Sequence, residues 1–298
     1  MKRWIGAIAD RIAPGAVILL YHRVAELDSD PQLLAVHPKN FEAHLAILRD
    51  IANPTALTEL GTKRGSVAVT FDDGYADNVE IAAPLLEAYS VPATIFVATG
   101  YCTAGRELWW DELERLLLPA SDWNVEMRHD PTPQHRAYRE LSATLRNAPV
   151  AERDRVLAEL RVRAGISAAA RATHRPLTVA QLRAIGGPLT VGAHTVWHPQ
   201  LSALPPAEQR SEIVESKRQL EAWTGKRVTS FAYPFGGAND FSDDAVRFAR
   251  EAGFELACAN VPGTVRASTS RFALPRLLVR NWSGDEFRRR LGRLLERP

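Results

Sequence analysis

Short apolar runs alternate along this sequence with stretches of helical periodicity, and that rhythm constrains the fold more than any other feature. Ala16–Tyr21, Ser66–Phe71, Ala93–Ala98, Leu189–Ala193, Val228–Tyr233 and a run near Phe254–Ala259 read as strands, because bounded apolar runs this short favour strand over helix. Helical patterns fall between them at Phe41–Arg49, Val79–Tyr89, Pro206–Thr224 and Ser242–Ala252. Strands and helices alternating through short connections predict a parallel α/β architecture. Within Ser66–Phe71, Val67, Val69 and Phe71 alternate with Ala68 and Thr70, so the two faces of that strand carry different side chains.

The rhythm breaks between about Tyr101 and Pro176. Helical patterns such as Ala151–Arg163, the apolar Leu113, Leu116 and Leu117, and the turn-rich HDPTPQH predict a mostly helical insertion at about 101–176. It is carried on a single domain spanning 1–298. The chain ends in an arginine-rich amphipathic helix, Gly284–Arg297. Such a helix is either a solvated end or a weak contact for a partner or an anionic membrane surface.

Composition serves mainly to exclude. The 298 residues are 46% hydrophobic and 24% charged, an ordinary globular mix long enough to fold without disulfide or structural metal. Thirty-seven Lys and Arg, of which 32 are Arg, stand against 35 Asp and Glu, a net charge of +2. A nucleic-acid binder would carry a concentrated basic excess. Cys102 and Cys258 have no partner spacing, which excludes a disulfide framework and a cysteine-rich zinc site. Asp10 and Arg11 interrupt the first apolar stretch, and no run approaches the roughly 18 apolar residues of a membrane span. The reading therefore predicts no signal peptide, no transmembrane segment and a cytoplasmic location.

Three groups fall at the ends of predicted strands, where α/β sheets and barrels collect functional residues. In VAVTFDDGYADN, Asp72 and Asp73 stand where a strand runs into Gly74. Alone they read equally as a helix cap or an Asx turn. In GAHTVWHP, His194 and His198 lie four apart and can converge on one point, or serve structure alone. Together, Asp73, His194 and His198 make a two-histidine, one-carboxylate face with open positions. That face suits a hydrolytic zinc ion or a non-haem iron oxygenase. Asp72 beside it favours hydrolysis, which needs a base next to the activated water. The third group, FAYPFGGAND, turns at Tyr233-Pro234-Phe235-Gly236, where backbone N–H groups can face a ligand.

TFDDGY, HTVWHP and AYPFG together resemble the signature motifs of the polysaccharide deacetylase family, the NodB-homology carbohydrate esterases, in the branch with poly-N-acetylglucosamine and exopolysaccharide deacetylases. LLYHRV, PATIFVATGY, GFELACANVPGTV and LPRLLV extend the resemblance over roughly 16–100 and 186–282, and LWWDELE touches the insertion. The resemblance implies a distorted (β/α) barrel of about seven parallel strands. It implies hydrolysis of N-acetyl groups on a sugar or polysaccharide with one divalent metal ion, zinc first and cobalt, nickel or iron after it. Asp73, His194 and His198 match the metal ligands and Asp72 the catalytic base. Thr195 matches the residue that sets the histidine loop, and the Tyr233 N–H matches the oxyanion donor, its ring lining the groove.

Two departures follow. Where many members have an arginine before the proline of the third motif, this chain has Tyr233, and Arg276 of LPRLLV is the expected substitute, pairing with Asp72. No histidine follows His198, so the usual C-terminal general acid is missing and His22 of LLYHRV is expected in that role. Tyr233, Pro234, Trp197 and Thr195 are the expected substrate contacts. Trp109, Trp110 and Trp282 are further candidates for stacking on sugar rings, while Asp111 and Glu112 read as a helix start. A non-sugar, cyclic-amide amidohydrolase and a catalytically inactive glycan-binding protein remain the competing readings.

Overall fold

A computed structural model describes residues 15–61, 65–118 and 131–296. The segment before Gly15, His129 and Asp130 of HDPTPQH, and Arg297 of the terminal helix lie outside the described residues. The chain opens with β1 (Val17–Tyr21), β2 (Arg23–Val24), β3 (Ala35–Val36), α1 (Pro38–Ile51) and β4 (Asn53–Pro54). Next come β5 (Ser66–Phe71), α2 (Ala83–Ala88), β6 (Ala93–Val97), α3 (Thr99–Ala104) and α4 (Trp109–Leu117). The helices α5 (Pro133–Asn147), α6 (Val150–Ala164) and α7 (Val179–Ala184) precede β7 (Leu189–Ala193). The chain then alternates through α8 (Pro206–Thr224), β8 (Ser230–Ala232), α9 (Asp243–Glu251), β9 (Leu256–Cys258), β10 (Leu277–Leu278) and α10 (Gly284–Leu295).

The main sheet is parallel, in the order β10-β1-β5-β6-β7-β8-β9, with β4 beside the start of β5. The order never reverses, as it would in a doubly wound sheet; it curls as a barrel does. The Arg271–Val279 segment spans the remaining gap. It exchanges backbone hydrogen bonds with Ala257, Ala259 and Val261 beyond β9, and then the Val279 N–H donates to Leu20 of β1. The fold is thus the distorted (β/α) barrel that the motifs imply.

Strand parity decides what faces in. Val17, Leu19, Tyr21, Val67, Val69, Phe71, Ile95 and Val97 pack outward with the helices. The intervening Ile18, Ala68 and Phe96 join Ala232, Leu256, Cys258 and Leu274 in a separate small cluster. Phe96 takes up much of this interior: a Cβ on Gly192 would stand 2.4 Å from its ring. The barrel is a packed core, so chemistry is left to the strand ends above it.

Local differences from the sequence reading have identifiable causes. The Val228–Tyr233 run contracts to β8, because the Val228 backbone bonds to the Lys217 and Glu221 side chains of α8. The Val79–Tyr89 helix begins as a π-turn at Asn78–Ala82; Pro84 lacks the N–H that a regular turn would use there. Helices α4–α6 gather around their own apolar cluster of Trp109, Trp110, Leu113, Tyr138, Leu145 and Leu157. α10 docks on α1, burying Phe287 and Leu291, with the His44 ring stacked 4.1 Å from Phe287. Its arginines pair with acids, Arg288 with Asp50 and Arg289 and Arg290 with Glu286. Among the described residues no helix is long and apolar enough to cross a membrane.

Candidate active site

Asp72 follows the last residue of β5, its N–H donating to the Tyr21 carbonyl. Asp73 and Gly74 then take positive φ, 74° and 81°. Left-handed backbone is unfavourable for aspartate, yet here it turns the second carboxylate back toward β7. Gly74 is needed as well, since a Cβ there would meet Val97 at 3.0 Å.

The loop after β7 is built the same way, with Thr195 at φ 64° and His198 at φ 52°. The Thr195 hydroxyl donates to the His194 carbonyl at 2.5 Å and accepts from the His198 N–H at 3.1 Å. Glu212 of α8 accepts from the N–H groups of Val196 and Trp197 at 2.8 and 2.9 Å. From the opposite side Arg153 of α6, fully buried, donates to the Trp197 carbonyl at 2.6 Å and reaches that of His198 at 3.4 Å.

These two turns bring Asp73, His194 and His198 together, with ligand atoms all within 4.8 Å of one another. His198 Nε2 lies 3.3 Å and His194 Nε2 3.6 Å from Asp73 Oδ1. His194 Nδ1 is 2.7 Å from the Ala232 carbonyl. A carbonyl only accepts, so Nδ1 carries the proton and Nε2 is left with its lone pair facing the cluster. Two imidazoles and a carboxylate at this spacing form a donor set fit for a divalent metal with open positions.

Asp72 lies beside the cluster, 3.9 Å from His194 Nε2. Arg276 grips it with both guanidinium prongs, at 2.7 Å each, and its Nε donates to the Ala259 carbonyl. Burial alone would raise the Asp72 pKa; Arg276 overrides it and holds the carboxyl below its ordinary value. His22 lines the same cleft, its Nδ1 buried without a protein partner, and burial lowers its pKa. Burial pushes His198 well down.

The cleft above this floor encloses about 770 Å³. Trp109, Trp110 and Phe235 form its aromatic walls, and Arg139, Arg146, Asp240 and Arg280 its outer polar rim. Trp110 stands edge-on 4.8 Å from the His198 ring. Its Nε1 donates to the Tyr75 hydroxyl, which donates to Asp111 at 2.7 Å. Asp111 is thus more than a helix start: it anchors the tyrosine of DDGY. A second buried trio, Asp111, Glu114 and His174, also falls within 4.8 Å, but Tyr75 occupies Asp111 and Arg171 lies 3.8 Å from Glu114.

The four expected substrate contacts do not line the cleft. Tyr233 shares strand parity with Phe231, so its ring turns outward, stacks 4.0 Å from Phe241 and donates its hydroxyl to the Phe272 carbonyl. Its N–H donates to the Cys258 carbonyl in the sheet and is committed there. Pro234 makes the turn, and Phe235, at φ 60°, is the residue that swings in, 4.7 Å from His198. Trp197 faces α3 instead, so close to Gly100 that a Cβ there would come within 2.6 Å of its ring. Thr195 is buried in the loop it shapes. Trp282 packs at the root of α10, where its carbonyl meets His44. The period-two alternation of Phe231 and Tyr233 is the sequence signal that turns the Tyr233 ring outward. For Arg153 and Arg146 there was none, because their partners are remote in sequence.

The family model for polysaccharide deacetylase matches residues 59–125 and 150–257. YxkH of Bacillus subtilis (strain 168), whose name carries the same family term, is 24% identical over 280 residues, 91% of this chain and 74% of that protein. The Streptococcus pyogenes deacetylase PplD, solved in complex with acetate, superposes with a TM-score of 0.62 at 20% identity, covering 96% of this chain and 100% of that one. IcaB from Ammonifex degensii gives 0.62 at 18% identity, covering 95% and 98%. At such identities the structural likeness speaks for the fold.

Proposed function

The chain belongs to the polysaccharide deacetylase family, and from that premise we propose a metal-dependent hydrolase that removes N-acetyl groups from a glycan. One observation carries the reading: the Asp73, His194 and His198 cluster lies against Asp72, a second carboxylate held ionised by Arg276. The acetate bound in PplD is the small product such a reaction releases. The AYPFG-type motif, through its resemblance to exopolysaccharide enzymes, supports a polymer or its lipid-linked precursor as substrate.

Asp73, His194 and His198 would hold the ion, and their nitrogen and oxygen donors suit zinc first, with cobalt, nickel or iron as alternatives. Bound there, a divalent ion polarises the acetyl carbonyl and lowers the pKa of a water from ~15.7 toward ~7. Asp72 takes the proton of the attacking water, a role worth about 10²–10⁴ in rate for a positioned base. Arg276 orients Asp72 and keeps it ionised. His22 passes a proton to the departing nitrogen; Asp73 and Asp72 favour the charged ring that this role needs, against the burial that lowers its pKa. Tyr233 cannot serve the acetyl oxygen, because its N–H is engaged. We assign that donor to the Phe235 N–H, on the turn that faces His198.

The test is acetate release from N-acetylated glycans by the purified protein, with Asp72→Asn as comparison and chelation followed by zinc or cobalt. Turnover that disappears with chelator, returns with metal and falls at least ~10²-fold in Asp72→Asn supports the reading. Turnover indifferent to both refutes it.

A further inference from the structure

The motif VAVTFDDGYADN carries two residues beyond the base and ligand positions, Asp77 and Asn78, and both turn back onto the segment that holds His22. β1 and β5 run parallel with Tyr21 beside Phe71, so the next residues, His22 and Asp72, leave the sheet at one level. The His22 ring is not anchored through Nδ1, which is buried without a protein partner, so the backbone of residues 22–24 has to place it. Asn78 Nδ2 donates to the His22 carbonyl at 2.9 Å. Asp77 Oδ2 accepts from Arg23 Nε at 3.0 Å, and its Oδ1 from the Val24 N–H at 3.2 Å. The Asn78 amide also donates to Asp77 Oδ1 at 3.0 Å, which ties the two side chains together. Three consecutive residues after β1 are thus gripped by two consecutive side chains beyond β5.

The grip is buried: Asn78 is 0%, Arg23 2% and Asp77 8% exposed. Polar groups withdrawn from water cost free energy unless they are bonded, which sets this pair apart from solvated turn residues. The Asn78 N–H donates to the Tyr75 carbonyl at 3.1 Å, so the clamp continues directly from the turn that places Asp73. Asn78 is also the first residue of the π-turn, a form that recurs at functional sites. We infer that Asn78, together with Asp77, is a positioning residue: it holds the His22 backbone so that the imidazole meets the departing nitrogen. The inference rests on the reading of His22 as the leaving-group acid and extends it to the residues that aim it. The step itself is unchanged: the acetyl C–N bond breaks, its electron pair stays on nitrogen, and the proton comes from His22. Such a transfer depends on aim, since a misplacement of ~1 Å can cost ~10²-fold.

Two acetyl donors separate aim from general damage, using the metal-loaded full chain. An N-acetylated chitooligosaccharide needs the acid, because its amine leaves poorly; 4-nitrophenyl acetate does not, because 4-nitrophenolate leaves unaided. Asn78→Leu fills similar space without a donor. It is expected to lower kcat for the amide about 10–10²-fold with little change in KM, and the ester rate less than about twofold. Damage to Asp72 or to the ligand cluster would slow both donors alike. His22→Ala is expected to lower the same amide-to-ester ratio, and adding Asn78→Leu to it should lower the ratio no further, because the two act as a unit. If His22→Ala slows amide and ester equally, the acid reading falls and this inference with it. If His22→Ala is selective but Asn78→Leu keeps the wild-type ratio, the inference alone is overturned. The wild-type chain gives a check that needs no variant: by NMR, the Asn78 side-chain amide protons should exchange with solvent far more slowly than those of the exposed Asn239. Exchange as fast as at Asn239 overturns the clamp.

Discussion

Replacing Arg276 by methionine should be among the most damaging single changes in this barrel. The guanidinium is 0% and Asp72 only 4% exposed, and three of its nitrogens donate at 2.7, 2.7 and 2.9 Å. Methionine fills similar space over Phe96 but leaves the Asp72 carboxylate buried without its cation. Removing one partner of a buried pair costs about 3–5 kcal/mol, which for a chain this size lowers Tm by roughly 6–20 °C. The partner variant Asp72→Asn strands the arginine in turn. The double variant Asp72→Asn/Arg276→Met removes both charges, so it should be less destabilised than the sum of the two, with a coupling of about 1–3 kcal/mol. Arg276→Lys keeps the charge without the two-pronged geometry and should fall between. Denaturant unfolding followed by tryptophan fluorescence, with and without chelator, separates this effect from stabilisation by bound metal. A loss below ~1 kcal/mol in Arg276→Met, or strictly additive effects in the double variant, would show that the pair does not hold the site together.

Two further outcomes follow from buried groups. Arg153→Met should weaken metal binding about 10–100-fold, as loss of a ligand-orienting contact does, because Arg153 supports the carbonyls of Trp197 and His198; competition against a chromophoric chelator reads this directly, and unchanged affinity counts against the role. His44 is lowered by burial to about 4 from an ordinary 6.5, so the unfolded chain binds the proton first. Its contribution, on the order of 3 kcal/mol, is complete above pH 6.5 and lost as pH falls toward 4; His44→Phe should flatten that slope in unfolding titrations, and an unchanged slope would assign it to other groups.

What could be read from the sequence was whatever is local. The inward and outward faces of β5 stand in the order of Val67, Ala68, Val69, Thr70 and Phe71, because side-chain direction alternates whatever surrounds the strand. Asp72, Asp73, His194 and His198 are legible because the two groups, each explicable alone as a turn or cap, together make a ligand set with a base at the ends of predicted strands. Side-chain direction in the turns was not legible. Trp197 sits between two histidines in the chain but on the other side of the loop in space, since positive φ at Thr195 and His198 reverses the expected facing. Phe235 likewise enters the cleft because of its own positive φ, which the residue order does not announce. Arg153 and Arg146 were invisible because an arginine in a charged helix looks solvated until its distant acceptors are known.

The segment that closes the barrel also carries Arg276, 204 residues after the aspartate it holds. A contact of that separation is entropically slow to form, and on a ribosome it cannot form until the closing segment has been made. Every earlier stage of synthesis therefore has Asp72 without its cation, and β1 without its neighbour β10. Closure and charge compensation arrive together, so a chain that has not reached Arg276 has neither a sealed barrel nor the guanidinium that orients Asp72. The Asp72 and Arg276 pair is therefore assembled only once the backbone is complete around the ring.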